Sequence, residues 1–169
     1  MNAIDWLQER APGFRDLSGD ERDAIMQFSL LWSLFEARAL NTRGNANAIL
    51  AVSNRWADHG LLTNDSFGRE LAYFQNRYYA NGNFTYHFDQ LRFRRGDQSD
   101  LVKRVLKSDA ADLAEIATAL LIIVYRFRNN LFHGVKWAYN IRDQFENFTH
   151  ANAVLMQAIE LHEHSAEPG

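Results

Sequence analysis

Apolar positions recur at helical spacing in several long stretches of this chain, and strand-like alternation is confined to one short segment. Ala24, Ile25, Phe28, Leu31, Trp32 and Phe35 follow a polar start at Ser18 or Asp20. A short side chain there caps the first turn, and Glu21 and Asp23 suit the positive end of the helix dipole. This helix is predicted to run to about Leu40 and to end in "NTRGN". A second is predicted from about Ala46 to His59, with Gly60 as its stop, and a third from about Asp65 to Tyr79, ending at "ANGN". In "FTYHFDQLRFRRGD", Phe84, Tyr86 and Phe88 alternate as in a strand, but no partner strand is evident, so an irregular stretch or a short helix is expected. A small helix is expected over Ser99 to Leu106. Asp109 is then expected to cap a central helix with the stripe Leu113, Ile116, Ala117, Leu120, Leu121, Val124, Phe127 and Leu131. Ile122 and Ile123 make it apolar almost all round, so it lies in the middle of a bundle or under a second subunit. Gly134 is its stop signal. A last long helix, about Asn140 to His162, presents Ile141, Phe145, Phe148, Leu155 and Ile159 on one side.

This pattern predicts one all-α domain, an up-and-down helical bundle with additional short helices, spanning residues 1–169 with its core at about 18–162. Only 2 prolines and 9 glycines in 169 residues leave few breaks for a many-stranded fold. The absence of cysteine excludes disulfides, thiolate metal sites and cysteine nucleophiles. No basic stretch followed by an apolar run opens the chain, and the longest apolar run is too short to span a bilayer. No membrane association and a cytoplasmic location are therefore expected.

Charge singles out one region. The net charge is −3, but residues 92–142 carry 10 basic and 5 acidic groups, whereas residues 143–169 carry 5 acidic groups and no basic one. The positive region contains "YRFRNNLFHGVKW", in which the apolar central helix finishes with Arg126, Arg128, Asn129, Asn130 and His133. Arginine offers a planar, permanently charged fork that suits phosphate oxygens. Histidine gives or takes a proton near neutral pH. Together they suffice for metal-free cleavage of RNA: a base takes the 2′-OH proton, a cation stabilises the phosphorane, and an acid protonates the departing 5′-oxygen. Arg128 and His133 are five positions apart, about 140° round a regular helix, so they share a face only if the helix unwinds near Gly134. No cysteine, histidine or carboxylate cluster has convincing ligand spacing, so neither metal nor cofactor is expected.

"RNNLFHG", Arg128 to Gly134, resembles the R-N-x-x-x-H signature of HEPN domains (higher eukaryotes and prokaryotes nucleotide-binding), in particular small single-domain bacterial and plasmid-borne members. The resemblance is tight over about seven residues and loose over the order of helices. It implies a helical bundle that dimerises, and a metal-independent endoribonuclease of the toxin, defence or RNA-processing kind. It implies catalytic roles for Arg128, Asn129 and His133, with the motifs of two protomers facing each other in one cleft. An antitoxin or regulatory partner is a further implication. One HEPN toxin pattern, a tyrosine two residues after the motif histidine, is absent: Val135 stands there, with Tyr139 close by.

Supporting roles are expected for Asn130, for Arg126 (which points toward phosphate or another acidic group), and for Glu36, whose place beside the apolar stripe of its helix suits an ion pair with the motif arginine. Arg92, Arg94 and Arg95, near Phe84, Tyr86 and Phe88, are candidates for holding single-stranded RNA, unless those aromatics pack inward. His59, His87 and His150 show no ligand spacing; His162 and His164, beside Glu160 and Glu163 near the chain end, could scavenge a metal but are read as structural filler. The rival reading is a HEPN-like bundle that binds nucleotide, RNA or a protein without turnover. A third reading is an unrelated helical protein in which Arg128 pairs with Glu36 for structure only.

Overall fold

The structure is a computed structural model and describes residues 2–11, 13–108, 110–134 and 144–166. Helices dominate it. In chain order they are α1 (Ala3–Arg10), a 3-10 turn (Phe14–Asp16), α2 (Gly19–Ala39), α3 (Ala46–Asp58), α4 (Gly68–Tyr78), α5 (Tyr86–Asp89), α6 (Ser99–Leu106), α7 (Leu113–Phe132) and α8 (Phe145–Ala166). Two short antiparallel strands, β1 (Tyr79–Ala80) and β2 (Asn83–Phe84), lie between α4 and α5 with Tyr79 opposite Phe84. The molecule is thus an all-α bundle with short additional helices.

The helix starts follow side-chain chemistry. Ser18 accepts from the Glu21 N–H while Glu21 accepts from the Ser18 N–H, so a capping box opens α2. Asp112 and Glu115 form the same reciprocal pair at the start of α7. The cap of the central helix is therefore Asp112, not Asp109, because only Asp112 has a glutamate three positions on to complete the box. Asn140 and Ile141, expected in the last helix, lie outside the described residues, as do Asp109, Val135 and Tyr139. The third helix begins at Gly68, three residues later than expected, after Phe67, which provides no side-chain cap.

Central α7 packs against α3 and α6, with α4 and α8 completing its shell. Leu120, Leu121, Ile122, Ile123 and Val124 are fully buried within the single chain. Of the two explanations for its apolar circumference, the middle of the bundle is the one realised along this stretch. The flanking pair α2 and α8 shares the largest helix–helix interface. There Phe28 meets Phe148 edge-on at 5.0 Å, and the Asn152 side chain donates to the Ala24 carbonyl at 3.1 Å. Each fully buried aromatic or aliphatic side chain of this kind stabilises the fold by about 1.5–3 kcal/mol. The outer face of α2 remains bare: Met26, Leu30 and Leu34, four residues apart, are 57%, 67% and 40% exposed. Among the described residues, no helix is long and apolar enough to cross a membrane.

Candidate active site at the end of the central helix

The polar residues that finish α7 divide between two faces. Arg126, Asn130 and His133 fall within about 60° of one another around a regular helix, and Tyr125, Arg128 and Phe132 fall on another side. The helix ends because Gly134 takes φ +74°, a left-handed conformation that glycine adopts without penalty, and its N–H closes on the Leu131 carbonyl at 3.3 Å. His133 is the C-cap, with its N–H on the Asn129 carbonyl at 3.0 Å and its side chain exposed.

Arg126 is only 1% exposed. Its Nε donates to the Leu91 carbonyl (3.0 Å), one terminal nitrogen to the Arg92 carbonyl (2.7 Å) and the other to the Asp97 carboxylate (2.9 Å). Burial pulls the guanidinium pKa down from its ordinary value, and the Asp97 charge opposes that pull. Asn130 adds to this clamp: its Nδ2 donates to the carbonyls of Gln90 (3.1 Å) and Leu91 (3.3 Å). Both residues hold the 90–97 loop rather than facing an open site. Asp97, which also accepts from the Arg94 N–H at 2.7 Å, was not among the expected site residues. It lies 29 positions from Arg126, and no sequence spacing marks the pair.

Arg128 is held differently. One terminal nitrogen donates to the buried Asn129 side-chain oxygen at 3.0 Å, and its guanidinium carbon lies 5.5 Å from the Phe132 ring centroid. Its Nε is buried without a hydrogen-bond partner. Among the described residues it has no carboxylate partner. The expected ion pair with Glu36 is absent, because both Glu36 oxygens are engaged elsewhere: Oε1 accepts from the Gly44 N–H (3.0 Å) and Oε2 from the Trp32 indole N–H (3.3 Å). Glu36 thus closes the turn after α2, and the reading of Arg128 and Glu36 as a structural pair falls.

Arg92, Arg94 and Arg95 are exposed on the loop that Arg126 holds. Of the nearby aromatics, Phe88 is buried and packs on Phe84 (4.5 Å) and Phe93 (5.2 Å), so these rings turn inward, while Tyr86 is 70% exposed. The setting of His150 leaves no trace in sequence spacing. It is buried, stacks on Tyr73 at 3.9 Å and lies 3.6 Å from Glu70 and 3.9 Å from Glu146. No group of three metal-ligating side chains with metal-holding geometry occurs among the described residues. Compared with known proteins, the chain matches no family model, no curated protein and no solved structure.

Proposed function

We propose that the chain is a metal-independent endoribonuclease of the HEPN type, acting as a toxin or defence effector. The observation that supports this most is the contrast between its two neighbouring arginines. Arg126 is consumed by an internal carboxylate and two carbonyls, whereas Arg128 is steadied by Asn129 and Phe132 and keeps its charge unpaired among the described residues. An arginine so held is suited to a phosphate.

In the proposed reaction a base removes the 2′-OH proton, and the 2′-oxygen attacks the adjacent phosphorus. Arg128 stabilises the phosphorane, and the 5′-oxygen leaves with a proton from an acid, giving a 2′,3′-cyclic phosphate and a 5′-hydroxyl. His133 serves as base or acid. Within one chain Arg128 and His133 leave the helix on different sides, about 140° apart. A two-fold partner then supplies the complementary group. The fully buried run Leu120–Val124 cannot form that contact. Among the described residues, surfaces open to a second copy include the exposed end of α7 at Phe132 and His133 and the bare Met26–Leu30–Leu34 stripe of α2.

Cleavage is expected to persist in EDTA and to fail on RNA carrying a 2′-deoxy or 2′-O-methyl group at the scissile nucleotide. His133→Ala is expected to slow it by about 10²–10⁴. Sedimentation should give a dimer. Cutting of the 2′-deoxy substrate, or an absolute need for a divalent ion, would refute the mechanism. An active monomer would refute the shared site. The second reading, a bundle that binds RNA or a protein without turnover, draws on the net charge of −3 and predicts affinity without product.

A further inference from the structure

A second feature lies on the other side of the Arg126 clamp. Residues 86–107 carry Arg92, Arg94, Arg95, Lys103, Arg104 and Lys107. Arg104 is spent on Glu115, in an ion pair that ties α6 to the first turn of α7. Against the rest stand Asp89, Asp97 and Asp100, and Asp97 is neutralised by Arg126. A cleft of about 250 Å³ opens here, lined by Phe88, Asp89, Arg92, Phe93, Ser99 and Lys103. Two of its walls are aromatic and two of its side chains are cationic. Lys103 Nζ sits 6.0 Å from the Phe88 ring and Lys107 Nζ 5.5 Å from the Phe84 ring, so positive charge is arrayed over an aromatic layer. Tyr86 stands free of the core, its ring 4.0 Å from that of His87.

The loop that carries the arginines is held in one shape. Arg92 and Gln98 adopt left-handed backbone angles, φ +53° and +57°, which cost non-glycine residues free energy and persist only under outside restraint. Arg126 and Asn130 supply restraint from α7 by gripping carbonyls 90–92 and the Asp97 carboxylate. These two residues share their helix face with His133, so the loop runs beside the side of α7 that ends in the candidate catalytic histidine.

We propose that this cleft and its basic rim seat the sugar–phosphate backbone of a single-stranded RNA. A phosphate lies between Arg92 and Lys103, Arg94 and Arg95 meet its neighbours, and Tyr86 offers a ring for an unstacked base. Asp89, the carboxylate of the lining, is an acceptor for a ribose hydroxyl. A duplex keeps its bases stacked away from such a surface, whereas a single strand presents phosphates and ring faces together. The choice of RNA as the strand rests on the ribonuclease reading.

The test is fluorescence anisotropy of the full chain with a labelled 2′-O-methyl oligouridine, which binds but cannot be cut by 2′-OH attack, over a range of salt. The double substitution Arg94→Glu, Arg95→Glu is expected to weaken binding at least tenfold. It should also flatten the dependence of log K on log salt, by about 0.7 for each phosphate no longer held. A charge-matched control, Arg10→Glu with Arg69→Glu on other exposed helices, should leave that slope unchanged. Circular dichroism establishes that each variant is folded. Equal weakening by the control, an unchanged slope in the loop variant, or equally tight binding of duplex RNA would overturn the site. Loop-dependent binding without any cleavage would remove the ribonuclease reading and leave this surface. Cleavage with binding indifferent to the loop would do the reverse.

Discussion

Arg126 and Arg128 are two positions apart and do different work. Removing Arg126 leaves the buried Asp97 carboxylate and two carbonyls poorly satisfied, so Arg126→Met is expected to cost about 3–5 kcal/mol, read from the urea midpoint. Arg128 is half-buried and leans on one amide and one ring, so Arg128→Ala is expected to cost less than about 1 kcal/mol while abolishing cleavage. The reverse pattern would show that the motif had been read two positions out of register. Sequence spacing alone admits both arginines, because what separates them is a carboxylate 29 positions away on a loop. Glu36 makes the same point: its place beside an apolar stripe marks it as half-buried, but which partner it meets depends on the Trp32 ring and the turn at Gly44. A Cβ at Gly44 would overlap Glu36 Oε1. Gly44→Ala is therefore expected to destabilise by about 1–3 kcal/mol, measurable in the same titration.

At the scale of elements, the 3.6-residue period carried most of the architecture. The starts of α2 and α3 fall where capping residues and periodicity place them, and both ends of α6 fall where expected although Gln98 gives it no side-chain cap. The start of α7 was legible too, since Asp112 with Glu115 three positions on is a capping-box spacing; Asp109 competes with it only because an aspartate there also precedes the apolar run. Asp112→Ala is expected to lower stability by about 1 kcal/mol in a thermal melt, the usual cost of losing such a cap. The β1–β2 hairpin also had a signal. Asn81-Gly82, with φ +52° and +77°, is the pair that two-residue hairpin turns favour, but strands of two residues are too short for alternation to register. Helix α1 left less trace, because none of its side chains is fully buried and its apolar positions therefore need not follow a strict face.

For the molecule as a whole, one histidine couples the bundle to pH. His162 on α8 is partly buried, and its Nδ1 has no hydrogen-bond partner. Burial first, then the nearby Arg55 charge, lower its pKa below the ordinary value, while a hydrogen bond with the Arg38 backbone and the Glu163 charge oppose the fall. The folded chain thus binds this proton less readily than the unfolded chain. Its contribution is complete above the unfolded pKa of about 6.5 and is lost as the pH falls below it. The urea midpoint should drop between pH 7.5 and 5.5, and His162→Gln should make that drop smaller; an equal drop in both would remove His162 as its source. The fold class was readable from the chain because it rests on periodicity. The way the site is divided between the faces of α7 was not, because it depends on which neighbour each polar group meets.

The 90–97 loop is gripped mainly through main-chain oxygens, which every amino acid possesses. Only Asp97 contributes a side chain to the grip. Positions 90, 94 and 95 are therefore released from the requirements of folding, and the segment can be rewritten as an interchangeable cassette on an unchanged frame. A library randomised at these three positions, with 92, 97, 126 and 130 held fixed, should yield mostly folded members that differ in what they bind.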